Sequence, residues 1–176
     1  MFKSIALGLV VLIVGLLGFA ATRPDSFSVQ RQITIKAPAE KIYPLVNDFH
    51  QWTAWSPWEK LDSTMTRTHS GAPAGKGAVY GWKGNKDVGS GRMEITDSTA
   101  PSQVQIKLDF FDPFEAQNRT TFSFQPQADG STQVVWVMQG PMNYVSKLMS
   151  VFVSMDKMIG KDFETGLANM KAAAEK

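Results

Sequence analysis

Side chains able to do chemistry are few in this chain, and their spacing supports little of it. Nucleophilic catalysis needs a Ser or Cys activated by a base, but cysteine is absent and no nucleophile-elbow pattern occurs. The two histidines, His50 and His69, fall on different elements without helical ligand spacing, which argues against a metal site. General acid or base work needs only one carboxylate or hydroxyl with a tuned pKa inside a cavity. Asp109, Asp112 and Glu115 lie near a strand turn where such a group can sit, although a solvated charged loop is the plainer reading. Asn118-Arg119-Thr120 spells a glycosylation sequon, but inside a strand pattern. Gly71, Gly75 and Gly77 with Pro73 read as a loop, since no Gly-Lys-Ser/Thr ending makes a phosphate cradle. These residues support no catalytic assignment, no metal and no cofactor.

Large apolar side chains are abundant instead. The segment from Asp48 to Trp58 places Trp52, Trp55 and Trp58 three apart on a short helix and turn. Each carries much rigid apolar surface and an N–H that needs a partner. They are either a plug closing one end of the core or the wall of a ligand cavity, and both roles are compatible.

The elements that must position these residues follow from periodicity. Phe27–Lys36 alternates as a half-buried strand, with Val29, Ile33 and Ile35 on one face. Arg31 shares that face, and is expected to pack its stem near the strand end while its head reaches water. Pro38 opens a helix to about Asn47 that buries Ile42, Leu45 and Val46. Further strands put Ala78, Tyr80 and Trp82, then Met93 and Ile95, then Val104, Ile106, Leu108 and Phe110, then Phe122 and Phe124 on a dry face. Turn signals at Gly84-Asn85, Ala100-Pro101, Asp112-Pro113 and Asp129-Gly130 separate them. Gln133–Gln139 lacks alternation, so cover on both faces is expected, with Trp136 and Met138 assigned inward. From Asn143 to Lys171 one apolar stripe of Leu148, Phe152, Met155, Ile159, Phe163, Leu167 and Met170 predicts a helix, with a kink or break allowed at Ser154. Six of the nine methionines fall between Met138 and Met170, and with Gly160 and Gly166 they suit a surface that repacks around irregular guests.

Residues 1–23 read as a separate segment. Ile5–Ala21 is free of charge and spans about 25 Å as a helix, enough to cross a bilayer with help from its flanks. A cleaved signal peptide, with Gly18 and Ala20 as the small residues, is the rival to a retained anchor. Lys3 and the amino end slightly outweigh Arg23, which places the folded part outside the cytoplasm, as in a single-pass envelope protein of bacterial type. Residues 24–26 are a short linker and 27–174 the domain. The net charge of +2 comes from Lys3 and Arg23, so the domain is neutral and gives no support for nucleic-acid binding.

The run from Ile33 to Tyr43, followed by Val46-Asn47-Asp48 and Trp55-Ser56-Pro57-Trp58, resembles the start of the polyketide cyclase/dehydrase branch of the SRPBCC, or START-like, superfamily. Asp162 to Met170 resembles the end of its closing helix. The resemblance implies an α+β helix-grip fold: a curved antiparallel sheet of about seven strands around a long C-terminal helix, with two short helices after the first strand. It also implies a cavity for apolar ligands between helix and sheet. Trp52, Trp55, Tyr80, Trp82, Met93, Leu108, Phe110, Phe122, Trp136, Met138, Phe152, Met155, Ile159 and Phe163 are then the expected ligand-binding residues. Members include lipid carriers, cyclases and proteins without known chemistry, so three functions stay open. The first is a membrane-anchored module binding a lipid-like or aromatic small molecule, with residues 5–21 in the bilayer. The second is a cyclase- or dehydratase-like enzyme using the same cavity, and the third a structural or protein-interaction domain whose cavity is filled.

Overall fold

Seven strands, β1 (Ser26–Ile35), β2 (Thr66–Gly71), β3 (Ala78–Lys83), β4 (Ser90–Thr99), β5 (Gln103–Asp112), β6 (Ala116–Pro126) and β7 (Thr132–Pro141), make one sheet. They pair antiparallel in the order β1-β7-β6-β5-β4-β3-β2. The structure is a computed structural model describing residues 2–176, with side chains from Ser4 onward. Register shifts at Ser90/Gly91 and Ile95/Asp97 interrupt the β4–β5 pairing, and such bulges bend a sheet and strengthen its twist. The inner faces are those the alternation assigns, and β7 alternates too. Val134, Trp136 and Met138 are buried while Val135 and Val137 on the outer face stay partly exposed, so β7 is not covered on both sides. The edge strand β2 is polar along its length and almost wholly exposed.

Helix α2 (Ala39–Asn47) and two 3₁₀ turns, Phe49–Ala54 and Pro57–Lys60, follow β1 and cap one end of the sheet. Trp52 Nε1 donates to the Val46 carbonyl at 3.1 Å and Trp55 Nε1 to that of Leu45 at 2.7 Å, so these indoles satisfy their donors on the last turn of α2.

The C-terminal stripe is two helices, α3 (Tyr144–Ser150) and α4 (Met155–Ala174). Each has its own N-cap: Asn143 accepts from the Ser146 N–H at 2.8 Å and Ser154 from that of Lys157 at 3.3 Å. Only α4 lies in the grip of the sheet. Its buried face is Gly160, Phe163, Gly166, Leu167, Met170 and Ala174. Gly166 sets the approach, since a Cβ there would stand 3.0 Å from Trp136 Cζ3 and 3.3 Å from Pro57 Cδ.

Arg31 departs from expectation. It sits mid-strand opposite Trp136, and its guanidinium donates to Asp156 Oδ1 and Glu164 Oε1, both at 2.7 Å, on α4. A Cβ at Gly160 would overlap that guanidinium, so the missing side chain makes room for the ion pairs. The bond from Arg31 holds the Asp156 carboxyl below the ordinary carboxylate range. That contribution is present at neutral pH and is lost as pH falls through the lowered value.

Helix α1 (Phe2–Ala21) precedes the domain and is long and apolar enough to cross a membrane, as a signal sequence near an N-terminus also is. From Ser4 to Phe19 its side chains are exposed except the half-buried Leu16. The charges of Lys3 and the amino end, on which the expected orientation rests, lie outside the described side chains.

Leu167 is 1 % exposed in the core that α4 shares with the sheet. Leu167→Ala is expected to lower stability by about 2–5 kcal/mol. The readout is an earlier urea midpoint at unchanged slope. An unmoved midpoint would show that α4 does not depend on this docking.

Candidate ligand cavity

Between the first turns of α4 and the inner face of β3 to β7 lies a cavity of about 300 Å³. Met155 and Ile159 form its helix side, and Tyr80, Trp82, Met93, Leu108, Phe110, Trp136 and Met138 its sheet side. Trp52, Trp58 and Met65 close one end, and the 86–89 and 112–113 turns lie at the rim. Gly91 helps to shape the wall: Trp82 lies across it where a side chain would stand, and Trp82 Nε1 donates to the Val88 carbonyl at 3.0 Å.

Ten of the fourteen expected residues therefore line the cavity: Trp52, Tyr80, Trp82, Met93, Leu108, Phe110, Trp136, Met138, Met155 and Ile159. Trp55, Phe122 and Phe163 do not. They form a packed floor around Trp136, with Phe163 stacked on it at 3.9 Å between ring centroids and 8° between planes. Phe122 stacks on it at 4.7 Å, and Trp55 meets it edge-on at 5.6 Å. Rings at those separations leave no room between them for a guest. Phe152 is 69 % exposed in the turn after α3, because the break at 151–154 takes it away from the sheet.

Sequence reading left Trp58 between plug and cavity wall, where it now lines the cavity, and missed Asn118 and Thr120 as lining residues. The last two share the parity of Phe122 and Phe124 on β6, so counting back by twos reaches them. Asn118 is buried, with its amide 3.9 Å from Met138 Sδ. Thr120 Oγ1 and Trp136 Nε1 have no hydrogen-bond partner among the described residues.

One polar cluster joins the wall. Glu59 accepts from Arg67 Nε at 2.6 Å through one carboxylate oxygen and from the Tyr80 hydroxyl at 2.5 Å through the other. Arg67 also donates to the Glu59 and Met65 carbonyls at 2.9 and 3.0 Å. Both Glu59 oxygens are thus engaged, so this carboxylate is tied down as an acceptor instead of standing free as a base. Asp112 accepts from Ser90 Oγ at 2.5 Å. Asp109 is not the solvated loop residue expected: it lies within β5, 8 % exposed, beside Lys107 Nζ at 3.0 Å. Glu115 is exposed. His50 and His69 do come together, stacked at 4.1 Å with His50 Nδ1 2.8 Å from Asp48 Oδ1. Burial first and His50 second push the His69 imidazole below its ordinary pKa. Among the described residues no group of three or more His, Asp or Glu is placed to hold a metal ion.

Burial, and then the bond to Glu59, raises the Tyr80 phenol well above the ordinary tyrosine value. Stability from this group is complete below the unfolded pKa of about 10 and declines as pH rises from there. Ultraviolet titration of the folded chain should therefore show a late phenolate that Tyr80→Phe removes. Ionisation of all tyrosines in the ordinary range while the fold persists would contradict the cluster.

The comparisons with known proteins agree with this architecture. No curated protein matches the chain. Among solved structures, a protein from Nitrosospira multiformis has a TM-score of 0.61 at 15 % identity, covering 84 % of this chain and 96 % of that one. The Aha1 dimer from Colwellia psychrerythraea has a TM-score of 0.59 at 16 % identity, covering 85 % and 96 %. The di-domain ARO/CYC BexL from the BE-7585A biosynthetic pathway has a TM-score of 0.62 at 13 % identity, covering 91 % of this chain and 53 % of that one. At such identities the likeness is one of fold. A family model described as polyketide cyclase/dehydrase and lipid transport matches residues 26–175, all of the sheet and α4, and the chain belongs to that family, within the SRPBCC superfamily.

Proposed function

We propose that this chain is a membrane-tethered domain that holds an apolar small molecule, lipid-like or aromatic, in the cavity between α4 and the sheet. The observation that carries the reading is the hollow itself. A volume of about 300 Å³ walled by aromatic, Met and Leu side chains is far more than the methyl-sized voids a packed core leaves. It falls at the low end of the range of roughly 300–1,000 Å³ usual for ligand pockets.

Retention of α1 as an anchor is supported by its ties to the domain. The Tyr144 hydroxyl donates to the Leu17 carbonyl at 2.9 Å, Arg23 Nε donates to Ser150 Oγ at 3.3 Å, and Ala20 is fully buried. Cleavage after Ala20 would remove the first and third of these. The enzymatic alternative would use Tyr80 as an acid with Glu59 behind it. The raised phenol and the engaged carboxylate both weigh against easy proton transfer at neutral pH.

Native mass spectrometry of the full chain, extracted in mild detergent, should show bound apolar molecules, and a fluorescent fatty acid should be displaced by them. Met93→Trp, which fills the cavity from β4, is expected to weaken that probe by roughly tenfold or more while the domain stays folded. Neither a bound molecule nor a displaceable probe in the wild-type chain would defeat the reading.

A further inference from the structure

Helix α3 is inverted relative to a surface helix in water. Tyr144, Val145, Met149, Phe152 and Val153 run as one stripe through α3 and the turn after it, and they are 47, 64, 55, 69 and 48 % exposed. Its polar groups turn toward the protein: Lys147 pairs with Asp25, and Ser150 receives Arg23. A stripe of this kind beside a buried core would be expected to dock on it, yet α4 alone does so.

What α3 packs on is the end of α1. The Tyr144 hydroxyl reaches the Leu17 carbonyl, and Arg23 Nη2 donates to the Ser150 carbonyl at 3.4 Å. Leu17 lies four residues before the end of α1, about 6 Å along the helix axis at the usual rise. A bilayer that takes in α1 up to Ala21 therefore meets α3 at the boundary of headgroups and acyl chains, the depth of roughly 5–10 Å at which interfacial helices lie. From Ser4 to Gly15 α1 is itself uncovered by protein, so two adjoining apolar surfaces share one missing neighbour. Tyr at that level suits the interface, where an apolar ring and a polar tip are both accommodated.

We propose that α3 and the 151–153 turn lie in the interface of the membrane that α1 spans, as a second contact that seats the domain on the lipid surface. Met155, the start of the cavity's helix side, is two residues from the embedded Val153. The inference rests on the anchor reading given above, and its test separates the two.

The chain has no cysteine, so single cysteines can be labelled cleanly. The full chain, carrying an environment-sensitive fluorophore on Leu12→Cys, Met149→Cys, Phe152→Cys or Gln127→Cys in turn, is reconstituted into phosphatidylcholine vesicles with some phosphatidylglycerol. Nitroxide lipids labelled near the headgroup or near the chain end then serve as quenchers. Gln127 is the control, exposed in the β6–β7 turn at the end of the sheet away from α1. The Met149 and Phe152 labels should be quenched chiefly by the shallow nitroxide, by about twofold or more over the Gln127 label, and the Leu12 label chiefly by the deep one. Quenching of the Leu12 label alone overturns the α3 contact and leaves the anchor standing. No quenching of the Leu12 label overturns the anchor reading and this proposal with it.

Discussion

The architecture depends on how closely α4 is held to β7. Phe163 lies flat on Trp136, Phe122 and Trp55 complete the aromatic floor, and Gly166 allows the backbone of α4 to come down onto the rings. That contact fixes the middle of the helix. Toward its N-terminus the helix presents Met155 and Ile159 to the sheet, and there the two layers enclose a space they do not fill. The cavity is thus a consequence of unequal packing along one helix. The floor is dense because planar rings stack, and the space beside it is lined by further aromatic rings together with Met, Leu and Ile side chains.

Polar contacts hold the open end in place without filling it. Arg31 crosses from β1 to Asp156 in the first turn of α4 and to Glu164 in its third. The two carboxylates are more than half exposed, so screening keeps each pair weak as a source of stability. Their geometry matters more, because a guanidinium with two fixed partners sets the height of the helix over the sheet. Glu59, Arg67 and Tyr80 do the corresponding work on the other side, joining a 3₁₀ turn to β2 and β3 with both carboxylate oxygens used.

Much of this was legible from local periodicity. Inward faces of β3 to β6 follow from parity alone, since a strand cannot rotate one side chain without rotating its neighbours, and that parity placed Tyr80, Trp82, Met93, Leu108 and Phe110 on the cavity wall. Parity cannot say how far a facing layer stands off, so Trp55, Phe122 and Phe163 could not be told from true lining residues. Strand β2 was silent because Thr66–Gly71 has no apolar partner pattern, and only its backbone pairing with β3 makes it a strand. The stripe through Leu148 and Phe152 was real, and the break allowed at Ser154 is where it parts from α4. Two cap residues, Asn143 and Ser154, divide it, and the destination of the first half is set by α1. Contacts such as Glu59 with Tyr80, or His50 with His69, join separate elements and leave no trace in spacing.

A hollow by itself does not distinguish a binding site from a packing fault, since an apolar void can stay dry and empty. The distinction here comes from what the wall contains. Thr120 and Trp136 each keep a buried polar atom unpaired, at a cost of about 1–3 kcal/mol apiece. A sequence under pressure only for stability removes such a cost easily, for Val in place of Thr120 preserves the shape of the side chain and deletes the orphan hydroxyl. Trp136 is harder to replace because the floor needs its ring, yet Phe would stack there with no N–H to satisfy. The cavity and the two orphan polar atoms belong to the same wall residues, Thr120 and Trp136, and dense packing by itself explains neither. That coincidence adds to the hollow as support for the proposal that the space is a site.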